Sequence, residues 1–211
     1  MRGSKTTWDT LFRAPALVLV LSVATAVPAE AHHVMGGRTP STFLEGLLSG
    51  LAHPVIGLDH LAFIVAVGVA VGVAGLNLII PALFIAASAA GVALHVRGIA
   101  LPGGEMLVAL SVLVAGAAIA LGRSMRAWVW TALFVAAGLV HGYAFGESIY
   151  GAEASPLVAY LVGLVVVQSV LATVVVLIAR RSGAAAVEPR LAGAAIAGIG
   201  LAILAGQLLP A

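Results

Sequence analysis

Hydrophobic residues dominate this chain in long runs that polar residues interrupt only briefly. Six of the runs approach or exceed the roughly 20 residues that an α-helix needs to cross the hydrocarbon core of a bilayer. They cover residues 58–75, 77–97, 103–122, 127–146, 156–179 and 191–209. The pattern therefore predicts six transmembrane helices joined by short connections.

A shorter apolar run, Thr42 to His53, precedes the first of these spans and is followed directly by Pro54. About a dozen residues cannot cross a bilayer unaided. Because proline disrupts a continuing helix, we expect a re-entrant or interfacial half-helix that ends before Pro54.

The N-terminal residues have the order of a cleavable signal peptide. Basic residues precede the apolar stretch 14–27, and Ala29 and Ala31 supply the small residues of a cleavage site. The alternative is that this stretch remains as an uncleaved helix. We predict that residues 1–31 are the signal peptide and that residues 32–211 form a single transmembrane helical domain.

Composition supports an all-α integral membrane protein. Hydrophobic residues make up 62% of the chain and charged residues only 9%, against roughly 25% charged in soluble domains. The basic residues are too few for a nucleic-acid surface, so the lipid bilayer is the expected environment. The chain has no cysteine, which leaves His, Asp, Glu, Met and backbone oxygen as candidate metal ligands.

The basic residues after the signal peptide divide unequally between the two predicted sides of the membrane. Arg38 and Arg97 fall on the side of the mature N-terminus, and the opposite side has five: Arg123, Arg126, Arg180, Arg181 and Arg190. Basic residues concentrate on the cytoplasmic side of membrane proteins. The expected location is therefore the bacterial inner membrane, with a periplasmic mature N-terminus and all six histidines outside or towards the outer helix ends.

The first candidate metal site is the segment His53-Pro-Val-Ile-Gly-Leu-Asp59-His60. Imidazole and carboxylate suit nickel, cobalt or zinc, and ionisable residues at membrane depth are costly and usually functional. Six residues on an unbroken helix would turn Asp59 about 240° away from His53. Pro54 and Gly57 favour a bend that brings the two together. The alternative is that Asp59 only caps the first span.

The second candidate segment is His141-Gly-Tyr-Ala-Phe-Gly-Glu147. Its histidine and acid are again six residues apart, and its two glycines weaken the helix or allow another backbone to approach. Gly-Leu-x-His precedes an acid at this spacing in both segments, which hints at an internal duplication. The alternative is an interfacial acid beside one core histidine.

These two segments resemble the HupE/UreJ family of nickel/cobalt permeases, through HPVIGLDHLAFIVAVGVAVG and HGYAFGE. In that family the His, Asp and His of the first motif are associated with metal transport, and they correspond to His53, Asp59 and His60. The resemblance implies Ni²⁺ or Co²⁺ as the transported substrate, with no permanently bound cofactor. It also implies service to hydrogenase or urease maturation or to cobalt supply, and it leaves a homo-oligomer open.

The predicted function is import of a divalent transition metal ion. The ion would first bind His53, Asp59 and His60 and then reach an inner part of the site with His141 and Glu147. No G-x-x-x-x-G-K-[ST] loop is present, so a secondary or channel-like permease is expected. The alternatives are an intramembrane zinc-dependent hydrolase that uses the same His/Asp cluster and a haem-binding electron carrier.

Overall fold

The computed structural model describes residues 38–122, 124–182 and 186–209, and these residues form helices and connections without a strand. The predicted signal peptide lies outside the described residues. The helices are α1 (Phe43–Ile56), α2 (Leu58–Val73), α3 (Ile79–Val96), α4 (Gly104–Ala120), α5 (Ala127–Glu147), α6 (Ala154–Ala179) and α7 (Val187–Leu208).

Four of these helices, α3, α5, α6 and α7, are each long and apolar enough to cross a membrane. Helices α1 and α2 meet that criterion only as a pair, and they are bent by 76° at the break between them. Helix α4 has 17 residues and is a shorter apolar helix. Within the described residues the multi-pass helical class is confirmed with four or five candidate spans, and the number six remains a prediction.

The boundary between α1 and α2 differs from the sequence prediction. Helix α1 continues through Pro54 to Ile56, and the break comes at Gly57, whose backbone is extended (φ −69°, ψ 106°). Proline lacks an N–H and so removes only the helical hydrogen bond to the carbonyl of Gly50. Near the end of a helix that loss is tolerated, and the chain turns three residues later.

A capping box fixes the start of α1. The hydroxyl of Thr42 accepts a hydrogen bond from the Glu45 N–H at 3.2 Å, and the Glu45 carboxylate accepts from the Thr42 N–H at 3.2 Å. The same carboxylate accepts from the Ser41 N–H at 2.8 Å. These bonds satisfy backbone donors that a helix N-terminus leaves unpaired.

Glycines set the packing of α1 and α2 against α6. A side chain at Gly46 would overlap Pro156, and one at Gly50 would overlap Tyr160. Further along, Gly68 and Gly72 of α2 lie against the last three turns of α6. Residues further along α1 and α2 contact residues further along α6. The α1–α2 pair therefore follows α6 in the same direction, from its first turns to its last. Small residues allow this close approach of helices in lipid.

Glycines also bring α3 and α5 together. Gly138 of α5 lies beside Phe84 of α3, Gly142 lies beside Ser88, and a side chain at Gly146 would overlap His95. Residues further along α5 contact residues further along α3, so the two helices are parallel. Helices α4 and α7 are antiparallel, since Gly193 lies against the C-terminal part of α4 and Gly200 against its middle.

These directions define two sides of the helix bundle. We refer to the side where α1, α4 and α6 begin and where α3 and α5 end as the near side. The opposite side, where α2 and α6 end, is the far side. The start of α4 is placed by the Leu101 N–H, which donates to the hydroxyl of Tyr143 near the end of α5 at 3.1 Å.

Candidate metal site

Three histidines from separate helices meet inside the bundle. His53 of α1, His60 of α2 and His141 of α5 are 4%, 3% and 1% exposed. The Nδ1 atoms of His60 and His141 are 2.9 Å apart, and the rings of His53 and His60 have centroids 5.7 Å apart. The fold therefore joins the two segments that the sequence singled out, although 81 residues separate His60 from His141.

The break at Gly57 positions the first two histidines. The Gly57 N–H donates to the His53 carbonyl at 3.1 Å and ends α1, while the Gly57 carbonyl accepts from the Leu61 N–H at 2.9 Å and begins α2. A β-carbon at Gly57 would lie 2.6 Å from Cδ2 of His60 and 3.2 Å from Oδ1 of Asp59. Both side chains thus fold back over a position where only glycine leaves room.

Asp59 lies at the edge of this histidine group. Its Oδ1 accepts a hydrogen bond from the His60 backbone N–H at 2.8 Å and is 4.0 Å from Nε2 of the same residue. The side chain is 15% exposed. Asp59 accordingly satisfies a backbone donor in the first turn of α2, as the capping interpretation expects, while it also faces the His60 imidazole.

Ser111 of α4 and His60 contact opposite ring nitrogens of His141. The Ser111 hydroxyl donates to the Val108 carbonyl at 2.7 Å and lies 2.9 Å from Nε2 of His141. When the hydroxyl proton is directed at Val108, His141 donates from Nε2, which leaves its Nδ1 as an acceptor. In that case His60 donates from Nδ1 to His141, and its Nε2 is the nitrogen nearer to Asp59.

His53 is held in a similar way. Its Nδ1 lies 2.8 Å from the Ser148 hydroxyl and 3.1 Å from the Tyr160 hydroxyl. Both hydroxyls can donate to the Phe145 carbonyl, at 3.2 Å and 2.7 Å. This arrangement favours donation from Nδ1 of His53, with the lone pair on Nε2. Hydrogen bonds to the other ring nitrogen are what normally orient a metal-binding histidine.

Aromatic rings enclose the three imidazoles. The Phe145 ring is 4.2 Å from His60 and 5.2 Å from His53, and the Phe63 ring is 4.5 Å from His141. Both phenylalanines are almost fully buried. The site therefore lies in apolar surroundings, where charge–ligand interactions are stronger than in water.

The histidines lie inward from the near-side ends of the helices that hold them. His141 lies well inside α5, and its partner Ser111 is near the middle of α4. Gly142 contacts Ser88, which is near the middle of α3. The bend between α1 and α2 carries His60 inward, whereas His53 contacts Ser148 directly after the end of α5, so the histidines lie in the near-side half of the bundle.

Glu147, the fifth predicted metal ligand, lies apart from this group. It is exposed at the C-terminal end of α5, whereas His141 is buried. Helix α5 is unbroken between them, so the two side chains leave the helix in directions about 120° apart. Within the described ranges no three His, Asp or Glu side chains are already arranged around one metal position.

The hydroxyl partners Ser111, Ser148 and Tyr160 were not among the predicted site residues. Each lies in a predicted span or beside the end of one, where a hydroxyl also serves helix packing. Only the tertiary contacts connect these hydroxyls to the histidines.

The sequence model described as HupE / UreJ protein matches residues 19–203. The chain belongs to the HupE/UreJ family. It is 32% identical over 187 residues to "Protein HupE" of Rhizobium leguminosarum bv. viciae, an alignment that covers 87% of this chain and 94% of that one. No solved structure matches the chain significantly.

The match confirms the family assignment that the two sequence motifs suggested. In this HupE/UreJ family member the first motif crosses the break between α1 and α2, and the second is the end of α5. Histidines from both motifs therefore lie in one buried cluster.

Proposed function

We propose that this HupE/UreJ family protein is a secondary or channel-like permease that imports Ni²⁺ or Co²⁺ across the bacterial inner membrane. The observation that carries the proposal is the convergence of His53, His60 and His141, with Asp59, at a helix break inside an apolar bundle. Broken helices near the middle of the membrane form the binding sites of many transporters.

The proposed topology has six crossings, with α1 and α2 forming one broken span. Two observations support it. The α1–α2 pair follows α6, whose 26 residues reach about 39 Å and exceed the roughly 30 Å hydrocarbon core. Helices α3 and α5 are parallel, so α4 between them must return across the same thickness.

The proposed orientation places the near side in the periplasm. Arg126, Arg180, Arg181 and Arg190 are at the far side, whereas Arg38 and Arg97 are the described basic residues at the near side. The basic excess is expected in the cytoplasm. Exposed acids at the near side, namely Glu105, Glu147 and Glu153, would attract cations to the entrance.

In the proposed mechanism, Glu147 helps to attract the hydrated ion, which then moves inward to the histidines. There it exchanges water for Nε2 of His53 and His60 and for a carboxylate oxygen of Asp59, while His141 orients His60 through the Nδ1 contact. Rotation of His141 would make it a ligand in turn. A site without a preformed ligand cage suits a transported ion, because binding must be weak enough for release.

The two alternatives from the sequence gain no support from the geometry. A hydrolase zinc site needs three protein ligands around one ion and an open position for water. The described residues contain no such preformed set of ligands. A haem iron would lie between two axial imidazoles, but His60 and His141 are in direct hydrogen-bond contact.

The test is metal accumulation in an uptake-deficient bacterium that expresses the wild type, His60→Ala or His95→Ala. His95 is a matched control, because this half-buried histidine packs against Tyr143 and Tyr150 at the near side. We expect nickel or cobalt, measured by elemental mass spectrometry, to accumulate with wild type and with His95→Ala. His60→Ala should accumulate about a tenth or less. Absence of accumulation by wild-type protein confirmed in the membrane would refute the permease.

A further inference from the structure

A second polar pair lies inside the bundle at Gln168 of α6. Gln168 is fully buried, and its Nε2 donates to the Ser88 hydroxyl of α3 at 3.2 Å. Its Oε1 has no hydrogen-bond partner among the described residues. Exchanging the amide oxygen and nitrogen would only move the deficit to the nitrogen. A buried amide atom without a partner is unfavourable, which points to a ligand or an alternative state that satisfies it.

The position of this pair relates it to the histidines. Gln168 lies two helical turns, about 12 Å, beyond Tyr160 in the direction of the far side, and Tyr160 contacts His53. On the other flank, Ser88 lies against Gly142, the residue that follows His141. The pair therefore lies at the contact between α3 and α6, next to helix segments that hold residues of the histidine group.

A direct path from His141 to the far side is closed by aromatic side chains. The Phe63 ring lies 5.5 Å from Phe84 and 5.9 Å from Phe134, and Trp130 stacks on Phe134 at 5.2 Å. All four residues are at most 3% exposed. An ion that leaves the histidines towards the far side thus needs a polar group beside this aromatic layer.

We infer that Gln168 and Ser88 form a second binding station for the transported ion, through which it passes between the histidines and the far side. The inference rests on the proposed permease function. The Gln168 amide oxygen would ligate the partly hydrated cation, and the Ser88 hydroxyl would orient the amide. Nickel and cobalt bind carbonyl oxygen more weakly than imidazole. The second station would therefore bind the ion more weakly than the histidines do, and weak binding permits release.

The experiment measures two properties of wild type, Gln168→Leu and Ser88→Ala in the full-length chain. One is nickel and cobalt binding to purified protein by calorimetry, and the other is cellular uptake at equal membrane abundance. For Gln168→Leu we expect uptake to fall about tenfold or more, with binding within about twofold of wild type, because the histidine site is intact. Ser88→Ala should lower uptake in the same direction. The matched control is Thr173→Val, since Thr173 is exposed on the same helix.

Unchanged uptake in Gln168→Leu and Ser88→Ala would overturn the inference. Higher thermal stability with normal uptake would show that the pair is only an imperfect packing contact. If wild-type protein itself neither binds nor accumulates metal, the proposed function fails, and the inference fails with it. An active wild type with an equally active Gln168→Leu refutes the second station alone.

Discussion

At the residue scale, hydrogen bonds connect the imidazoles of His53 and His141 to hydroxyl groups from other parts of the chain. The Ser111 hydroxyl lies within hydrogen-bond distance of the Val108 carbonyl and of Nε2 of His141, and Nδ1 of the same ring contacts Nδ1 of His60. His141 thus connects the Ser111 hydroxyl to His60, whose Nε2 lies 4.0 Å from Oδ1 of Asp59. A hydroxyl on α4 is therefore placed to orient the rings of two histidines.

The first prediction concerns this hydroxyl. Ser111→Ala should lower nickel or cobalt affinity about 10- to 100-fold, the usual cost of losing a residue that orients a metal ligand. Calorimetric titration of purified protein measures the affinity, and Ser111→Thr, which keeps a hydroxyl, should restore most of it. Wild-type affinity in Ser111→Ala, or equal loss in both variants, would contradict the positioning role.

At the scale of single elements, the break at Gly57 is the feature on which the site depends. Gly57 has a backbone conformation open to any residue, so a residue with a side chain would not be excluded by backbone strain. The restriction comes from the neighbouring Asp59 and His60 side chains, which occupy the space of a β-carbon. The glycine is needed because the histidine folds back over it.

The second prediction compares two glycine-to-alanine substitutions. Gly57→Ala should displace the His60 ring, because the new methyl group would lie 2.6 Å from its Cδ2, and uptake should fall about tenfold or more. The control is Gly198→Ala in α7, where no atom lies within 4 Å of the added carbon. Uptake and melting temperature should be measured for both, and equal uptake in the two variants would disprove the role given to Gly57.

At the helix pairs, most of the interface glycines face backbone atoms of the partner helix. In α5, Gly138, Gly142 and Gly146 occur every fourth residue and bring α3 close enough for its backbone to contact the helix. This approach places Ser88 beside Gly142, next to His141. The same spacing that packs the helices thus also fixes the position of polar groups in the interior.

At the scale of the whole molecule, the helix directions determine which loops share a side. The connection between α3 and α4 lies on the near side, and the connection between α4 and α5 lies on the far side. The proposed orientation assigns the first to the periplasm and the second to the cytoplasm. The absence of cysteine from the chain makes this assignment directly measurable.

The third prediction uses single cysteines in those loops. Ala100→Cys and Ser124→Cys both replace exposed residues. In spheroplasts, a membrane-impermeant maleimide should label Ala100→Cys at once and Ser124→Cys only after permeabilisation, because charged reagents do not cross the hydrocarbon core. Wild type is the unlabelled control. The reverse labelling pattern would show that the orientation is opposite to the proposed one. Labelling of both cysteines before permeabilisation would exclude a crossing by α4.

The sequence alone determined the class of protein, because repeated runs of about 20 apolar residues with few charges are typical of helices that are stable in lipid. It also determined the family, because His53, Asp59 and His60 occur at fixed spacing in one short motif. Local residue chemistry was enough to indicate a bend between His53 and Asp59. It was not enough to place it, because whether Pro54 ends a helix depends on how the adjoining turn packs.

The tertiary structure alone decided which distant residues meet. The meeting of His60 with His141, the roles of Ser111 and Tyr160, and the separation of Glu147 follow from helix directions and rotations. In lipid, apolar faces are nearly equivalent, so hydrophobic periodicity does not specify which side of a helix turns inward. Close glycine contacts between helices determine which side faces inward. Such a contact involves two helices and cannot be read from the sequence of one.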